Sequence, residues 1–161
     1  MKKLWVLLLV PVLMCGAKEW SALDLAQLRG LRALSITIEH LPDALTIRTE
    51  QSDGLSEQQL RAQISDKLTY AGLQVTDSAS AYLYVNVNSV PAGTGVAYDI
   101  SVDLNELAYL ARNSATAFAV IAVGGTIGYC RSENFAGIVN KDINDYVDEF
   151  VINWLLANKK K

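Results

Sequence analysis

The chain has 161 residues, with 14 Lys or Arg and 17 Asp or Glu side chains, and its formal net charge at pH 7 is −3. A negatively charged surface repels nucleic acid and anionic lipid, so neither is an expected partner. One histidine and two cysteines are too few ligands for a structural or catalytic zinc site, and no metal or cofactor is expected.

The N-terminus has the pattern of an export signal. Two lysines precede an uninterrupted apolar run over residues 4–14. That run is shorter than the roughly 20 residues needed to cross a bilayer, and it is typical of a signal-peptide core. Small residues follow and predict cleavage between Ala17 and Lys18. Two alternatives remain open: lipidation of Cys15, as in bacterial lipoproteins, or an uncleaved anchor.

The predicted organisation is therefore a signal peptide over 1–17 and one globular domain over 18–161. That length is typical of a single domain. No later segment reaches transmembrane length, so the mature chain is expected to be periplasmic. If Cys15 is lipidated, the same domain would be held at a membrane by its lipid anchor.

The first half of the chain predicts two helices and two strands. A short helix over 24–29 precedes a strand over 34–39, in which apolar and polar side chains alternate. Residues 56–59 have the Ser-x-x-Gln pattern of a capping box. The helix that they start is expected to end at Gly72, and a short strand over 73–75 follows.

The most regular pattern lies in the middle of the chain. Apolar and polar side chains alternate over 82–88 and again over 96–104, on both sides of a turn rich in Pro and Gly. This pattern predicts a β-hairpin with one buried and one exposed face. A one-residue slip would put the two apolar sets on opposite faces, so the register is expected to pair Val87 with Ile100.

The last third predicts one more strand and a long helix. The strand, over 116–127, is apolar on both faces, which is typical of a central or doubly covered strand. The helix, over 135–157, is amphipathic. The order of elements predicts the α+β class, with a mainly antiparallel sheet of about four to five strands and two helices packed on one face.

Five short segments combine core patterns with turn residues: 28–31, 54–56, 71–75, 82–88 and 154–158. Together they resemble a family of small, uncharacterised, secreted bacterial proteins of the periplasm. The order of elements is also distantly similar to the small N-terminal domain of the envelope protein TolB. These resemblances imply an α+β fold and export, and neither implies a reaction.

The polar residues predict no catalytic set. His40 follows a strand, and no serine lies in the Gly-x-Ser-x-Gly turn of a hydrolase. Asp99 and Asp103 lie about 13 Å apart at the rise of a strand, too far for a glycosidase pair. The glycine-rich segment 123–128 lacks the lysine of a phosphate loop and is expected to mark a bulge or a close backbone approach. Cys130 is expected to be a small buried side chain.

Six hairpin side chains are expected to share the exposed face and to form a binding surface: Tyr82, Tyr84, Asn86, Asn88, Asp99 and Ser101. Tyrosine and asparagine suit recognition because they combine contact area with hydrogen bonding. The alternative for this face is a cover formed by the long helix or by a loop.

The function predicted from these features is that of a non-enzymatic periplasmic domain, which binds an envelope protein or a small ligand through its sheet. The alternative is a hydrolase-like periplasmic enzyme whose site is built from scattered serines and carboxylates with Arg112 or Arg131. A deep polar pocket around His40 would favour the enzyme, and a shallow sheet face would favour binding.

Overall fold

The computed structural model describes residues 22–46 and 54–159. The predicted signal peptide over 1–17 lies outside the described residues, and so do Cys15, Ala17 and Lys18. In the part of the chain that is described, no helix combines the length and the apolar character needed to cross a bilayer.

The described residues form helices and strands in mixed order. They are α1 (Ala22–Gln27), β1 (Ala33–Ile38), α2 (Asp43–Thr46), α3 (Glu57–Ala71), β2 (Gln74–Val75), β3 (Tyr82–Ala92), β4 (Gly95–Leu110), β5 (Ala115–Arg131), a 3₁₀ turn (Ser132–Asn134) and α4 (Phe135–Asn158). The α+β class is confirmed. The described residues contain the two predicted long helices, α3 and α4, and the predicted short helix α1, while the short helix α2 was not predicted.

The five-stranded sheet is mixed, with the strand order β2-β1-β3-β4-β5. Strands β3, β4 and β5 are antiparallel, as predicted. The prediction of a mainly antiparallel sheet is wrong for the other half, because β1 runs parallel to both β2 and β3. The cause is the strand–helix–strand order of β1, α3 and β2: a helix returns the chain to the start of the sheet, so the next strand is parallel.

Helix α3 begins and ends where its capping residues predict. The Ser56 side chain accepts a hydrogen bond from the backbone N–H of Gln59 at 3.1 Å, and the Gln59 side chain accepts one from the backbone N–H of Ser56 at 3.0 Å. At the other end, Gly72 has φ +99°, a left-handed conformation that favours glycine.

The core lies between one face of the sheet and the helices α3 and α4. Helix α3 contributes Leu60, Ile64 and Leu68, and α4 contributes an apolar stripe that includes Val147 and Phe150. This stripe confirms the amphipathic helix predicted near the C-terminus. The indole N–H of Trp154 and the amide of Asn158 donate to backbone carbonyls near α1, so side chains of α4 also hold the start of the described chain.

The β3–β4 hairpin has the predicted register, with Val87 opposite Ile100. Its turn is tighter than the predicted segment, because Ala92 already pairs with Gly95 and only Gly93 and Thr94 remain between the strands. Gly93 has φ +60°, which a two-residue hairpin turn requires and glycine adopts without strain.

Strand β5 lies at the edge of the sheet, so the prediction of a central or doubly covered strand over 116–127 is wrong. Its register shifts opposite Leu104 and Asn105, which leaves Ile121 as an extra residue in a β-bulge. The close approaches expected for its glycines are confirmed: a Cβ added to Gly124 would lie 2.8 Å from the ring of Tyr146.

Candidate binding face of the sheet

The side of the sheet that faces away from α3 and α4 is here called the open face. Along β3 and β4 its residues alternate with buried ones such as Leu83, Val85 and Val102. The buried side chains of α3 and α4 belong to the core on the other side. Helix α4 therefore does not cover the open face, although the sequence left a cover by this helix or by a loop as the alternative.

The structure brings the six predicted side chains together on the open face. Tyr82, Tyr84, Asn86 and Asn88 lie on β3, and Asp99 and Ser101 lie on β4. Asn86 is directly opposite Ser101, and Asn88 is directly opposite Asp99. Asn88 and Asp99 are exposed, while the other four are half-buried by their neighbours on the sheet.

Tyr84 is held by a partner that the sequence did not indicate. Its hydroxyl donates a hydrogen bond to the carboxylate of Glu39, which follows β1. This bond and the burial of the ring raise the pKa of Tyr84 above its usual value. The phenol therefore stays protonated, and Glu39 fixes its position on the face.

A second unpredicted residue extends the aromatic part of the face. Phe118 on β5 lies edge-on to the ring of Tyr82, with 5.5 Å between the ring centroids and an angle of 70° between the planes. This geometry is favourable for two aromatic rings. The sequence contains an indication of this position. Large and small side chains alternate over 117–120, which places Phe118 and Val120 on the opposite side of the strand from the two alanines.

Asp103 lies directly opposite Tyr84, close to the centre of the face. Its Oδ1 atom is buried, and no hydrogen-bond donor among the described residues reaches it. Burial, with a smaller contribution from Asp99, raises the pKa of the Asp103 carboxyl. An acceptor that is buried without a donor is costly, which is why burial disfavours the charged form of this carboxyl.

The centre of the open face is acidic, since Glu39, Asp99 and Asp103 all lie on it. Arg131 stands at the far end of β5, where its guanidinium is 3.7 Å from the carboxylate of Glu133. A surface with carboxylates beside aromatic rings suits a partner that presents hydrogen-bond donors or positive charge.

A shallow cleft of about 210 Å³ lies on the open face beside Asn88, Val90, Asp99 and Ile127. Pockets that enclose drug-sized ligands usually measure about 300–1,000 Å³. The size of the cleft therefore favours a side chain of a protein partner over an enclosed small ligand.

The residues considered for catalysis are dispersed. His40 is exposed beyond the end of β1, and Arg112 and Arg131 lie at opposite ends of β5. In the described ranges, no three His, Cys, Asp or Glu side chains are grouped so that they could hold a metal ion. Cys130 is free and buried, as predicted, and burial raises the pKa of its thiol.

No protein-family model matches the chain, and no curated protein matches it. Among solved structures, it is similar to a minor lipoprotein from Acinetobacter baumannii, with 13% identity, a TM-score of 0.39, and coverage of 79% of this chain and 93% of that one. It is also similar to PelC from Paraburkholderia phytofirmans, solved as a dodecamer, with 13% identity, a TM-score of 0.37, and coverage of 82% and 90%. At TM-scores this low the likeness carries no argument about function. Neither match tests the resemblance to the TolB domain, which stays a prediction.

Proposed function

We propose that this chain is an exported, non-enzymatic domain that binds an envelope protein through the open face of its sheet. The observation that carries the proposal is a contiguous surface of aromatic, amide and carboxylate side chains on the side of the sheet away from α3 and α4. Such surfaces serve recognition because aromatic rings supply contact area while amides and carboxylates fix orientation.

The binding partner is a protein rather than a small ligand. The cleft on the face is small, at about 210 Å³, whereas the surrounding side chains extend over three neighbouring strands. Protein interfaces are broad and shallow, with about 800 Å² buried on each partner. The partner is expected to donate hydrogen bonds to Asp99 and Asp103 and to cover Tyr82 and Phe118.

The hydrolase alternative has less support. It needs a base beside a nucleophile or a pair of nearby carboxylates. His40 is exposed after β1, and Asp99 and Asp103 are separated along a single strand. Of the two arginines suggested for such a site, Arg131 pairs with Glu133, and Arg112 lies in the turn between β4 and β5.

Export to the periplasm belongs to the same proposal, and it is supported by the apolar run over 4–14 and the small residues that follow. Intact mass measurement of the exported protein is expected to give a chain that starts at Lys18. A mass that instead corresponds to a chain starting at Cys15 with a diacylglyceryl group would establish the lipoprotein alternative. Retention of residues 1–17 would contradict both forms of cleavage.

The binding proposal predicts that the double variant Tyr84→Ala/Asn86→Ala loses its partner. These substitutions remove contact area and hydrogen-bonding groups at the centre of the open face, and a loss of at least about tenfold in affinity is expected. The measurement is affinity capture of partners from the chain's own envelope fraction, followed by a direct titration of the captured protein.

The matched control is Tyr70→Ala/Gln58→Ala, which removes the same kinds of side chain from exposed positions of α3. This control should bind like the original chain, and both double variants should keep their melting transition. Unchanged binding by a folded Tyr84→Ala/Asn86→Ala variant would show that the open face is not the binding surface.

A further inference from the structure

The outer edge of β5 consists of a long row of backbone N–H and C=O groups. The strand has 17 residues, and in the described part of the chain no other strand pairs with its outer side. The outward N–H and C=O groups of such an edge form a template on which another strand can pair.

Soluble proteins usually protect such an edge with lysines, prolines or a covering segment. From Ala115 to Cys130 the strand contains no charged residue and no proline. Its one irregularity is the bulge at Ile121, and from 122 to 130 the pairing with β4 is regular. Ile127, 85% exposed, and Tyr129, 58% exposed, project from this regular segment on the open face.

We propose that β5 is a self-association edge, at which the β5 strands of two copies of this chain pair antiparallel about a two-fold axis. The opposite edge of the sheet is β2, which has two residues and cannot pair along a strand of this length. Among the described strands, the long edge that a second copy offers is therefore its own β5. Because both copies use the same edge, the pairing stops at two copies and gives a dimer.

The side chains of the regular segment complement each other in a register centred on Thr126. In that register Ile127 lies opposite Gly125 of the second copy, so a large side chain faces the space beside a glycine. On the helix side the paired positions are Gly124, Thr126 and Gly128, all small or without a side chain. The rings of Tyr146 and Tyr98 of each copy already lie against its own Gly124 and Gly128.

The overlap of the two edges sets the size of the dimer interface. Standard protein interfaces involve about 20–30 residues on each side. In the register centred on Thr126, residues 121–131 of the two β5 strands overlap, so each copy supplies about 11 residues of β5, fewer than a standard interface, and the dimer is expected to dissociate at low concentration.

The charges beside the edge determine how this dimer should respond to salt. Asp142, Asp145 and Glu149 of α4 lie around a cleft next to Thr126, on the helix side of β5. Two copies that pair through β5 bring these acidic groups toward each other. Salt screens such repulsion, so the dimer is expected to strengthen as ionic strength rises, whereas a complex with a basic partner would weaken.

The test is sedimentation of the exported protein over a range of concentrations at low and high salt. A dimer is expected, with a dissociation constant that falls as salt is added. Ile127→Lys should raise that constant at least about tenfold, because it places like charges near the two-fold axis. The matched control, Tyr70→Lys, introduces the same charge at a position that is 96% exposed on α3 and should leave the dimer unchanged.

Two further measurements distinguish self-pairing from other associations. An equal mixture of Ile127→Lys and Ile127→Glu chains should recover the dimer through opposite charges. In a Cys130→Ala background, Thr126→Cys should give a disulfide-linked dimer on oxidation, because directly opposed residues have Cα atoms about 4.5–5.5 Å apart. A monomer at all concentrations, a ring or larger oligomer, a dimer indifferent to Ile127→Lys, or a dimer that Thr126→Cys does not link would each overturn the proposal.

Discussion

Phe135→Ala is expected to lower the free energy of unfolding by about 3–5 kcal/mol, the usual cost of removing a fully buried phenylalanine. Phe135 begins α4 and has no exposed surface, and the centroid of its ring is 5.7 Å from that of Tyr98 on β4. The substitution therefore leaves a cavity where the helix meets the sheet. Equilibrium unfolding in urea measures the change.

The matched control is Phe118→Ala, which removes the same atoms from a side chain that is 61% exposed on the open face. The decrease in the free energy of unfolding should be limited to the loss of the contact with Tyr82, about 0.5–1.5 kcal/mol. Similar losses for the two variants would mean that the open face is covered in the folded protein. That result would contradict both the assignment of the core and the proposed binding face.

Gly128→Ala is expected to destabilise the protein by about 1–3 kcal/mol, the range for overpacking a core. A Cβ at Gly128 would lie well inside van der Waals contact with the ring of Tyr98. That ring is buried beside Phe135, and its hydroxyl is 3.4 Å from a carboxylate oxygen of Asp142. The ring therefore has little freedom to move away. Thermal and urea unfolding of the variant would measure the loss.

The control for this substitution is expected to increase the stability of the protein instead of lowering it. Gly137 lies inside α4, and a Cβ there would meet nothing within 4 Å. Gly137→Ala should therefore stabilise the protein by about 0.5–1 kcal/mol through its helix propensity. In addition, Gly128→Ala should cost less in a Tyr98→Leu background, where the clash is relieved. Additive effects of those two substitutions would show that the ring of Tyr98 does not limit position 128.

Structural elements that are fixed by contacts between residues close together in the sequence could be predicted from the sequence. The reciprocal hydrogen bonds of Ser56 and Gln59 start α3 within a single turn, and Gly72 ends it. The β3–β4 register follows from alternation on both sides of a short turn, where slippage would expose one apolar set. The shared face of Tyr84, Asn86 and Asp99 follows from the same alternation.

The contacts that complete the candidate site join residues far apart in the chain. Tyr84 bonds to Glu39, 45 residues earlier, and Tyr82 packs against Phe118 from β5. Local periodicity indicates the side of β5 on which Phe118 lies, but it does not show which strand lies beside β5, so neither contact could be predicted.

Strand order was likewise decided by the tertiary structure. Every strand offers the same backbone N–H and C=O groups to either neighbour, so the residues of β5 do not reveal whether a second strand lies at its outer edge. Its apolar character on both faces predicted a covered central strand, and packing placed it at the edge. The parallel pairing of β1 was decided in the same way, by the return of the chain through α3, which brings β2 and β3 to either side of β1.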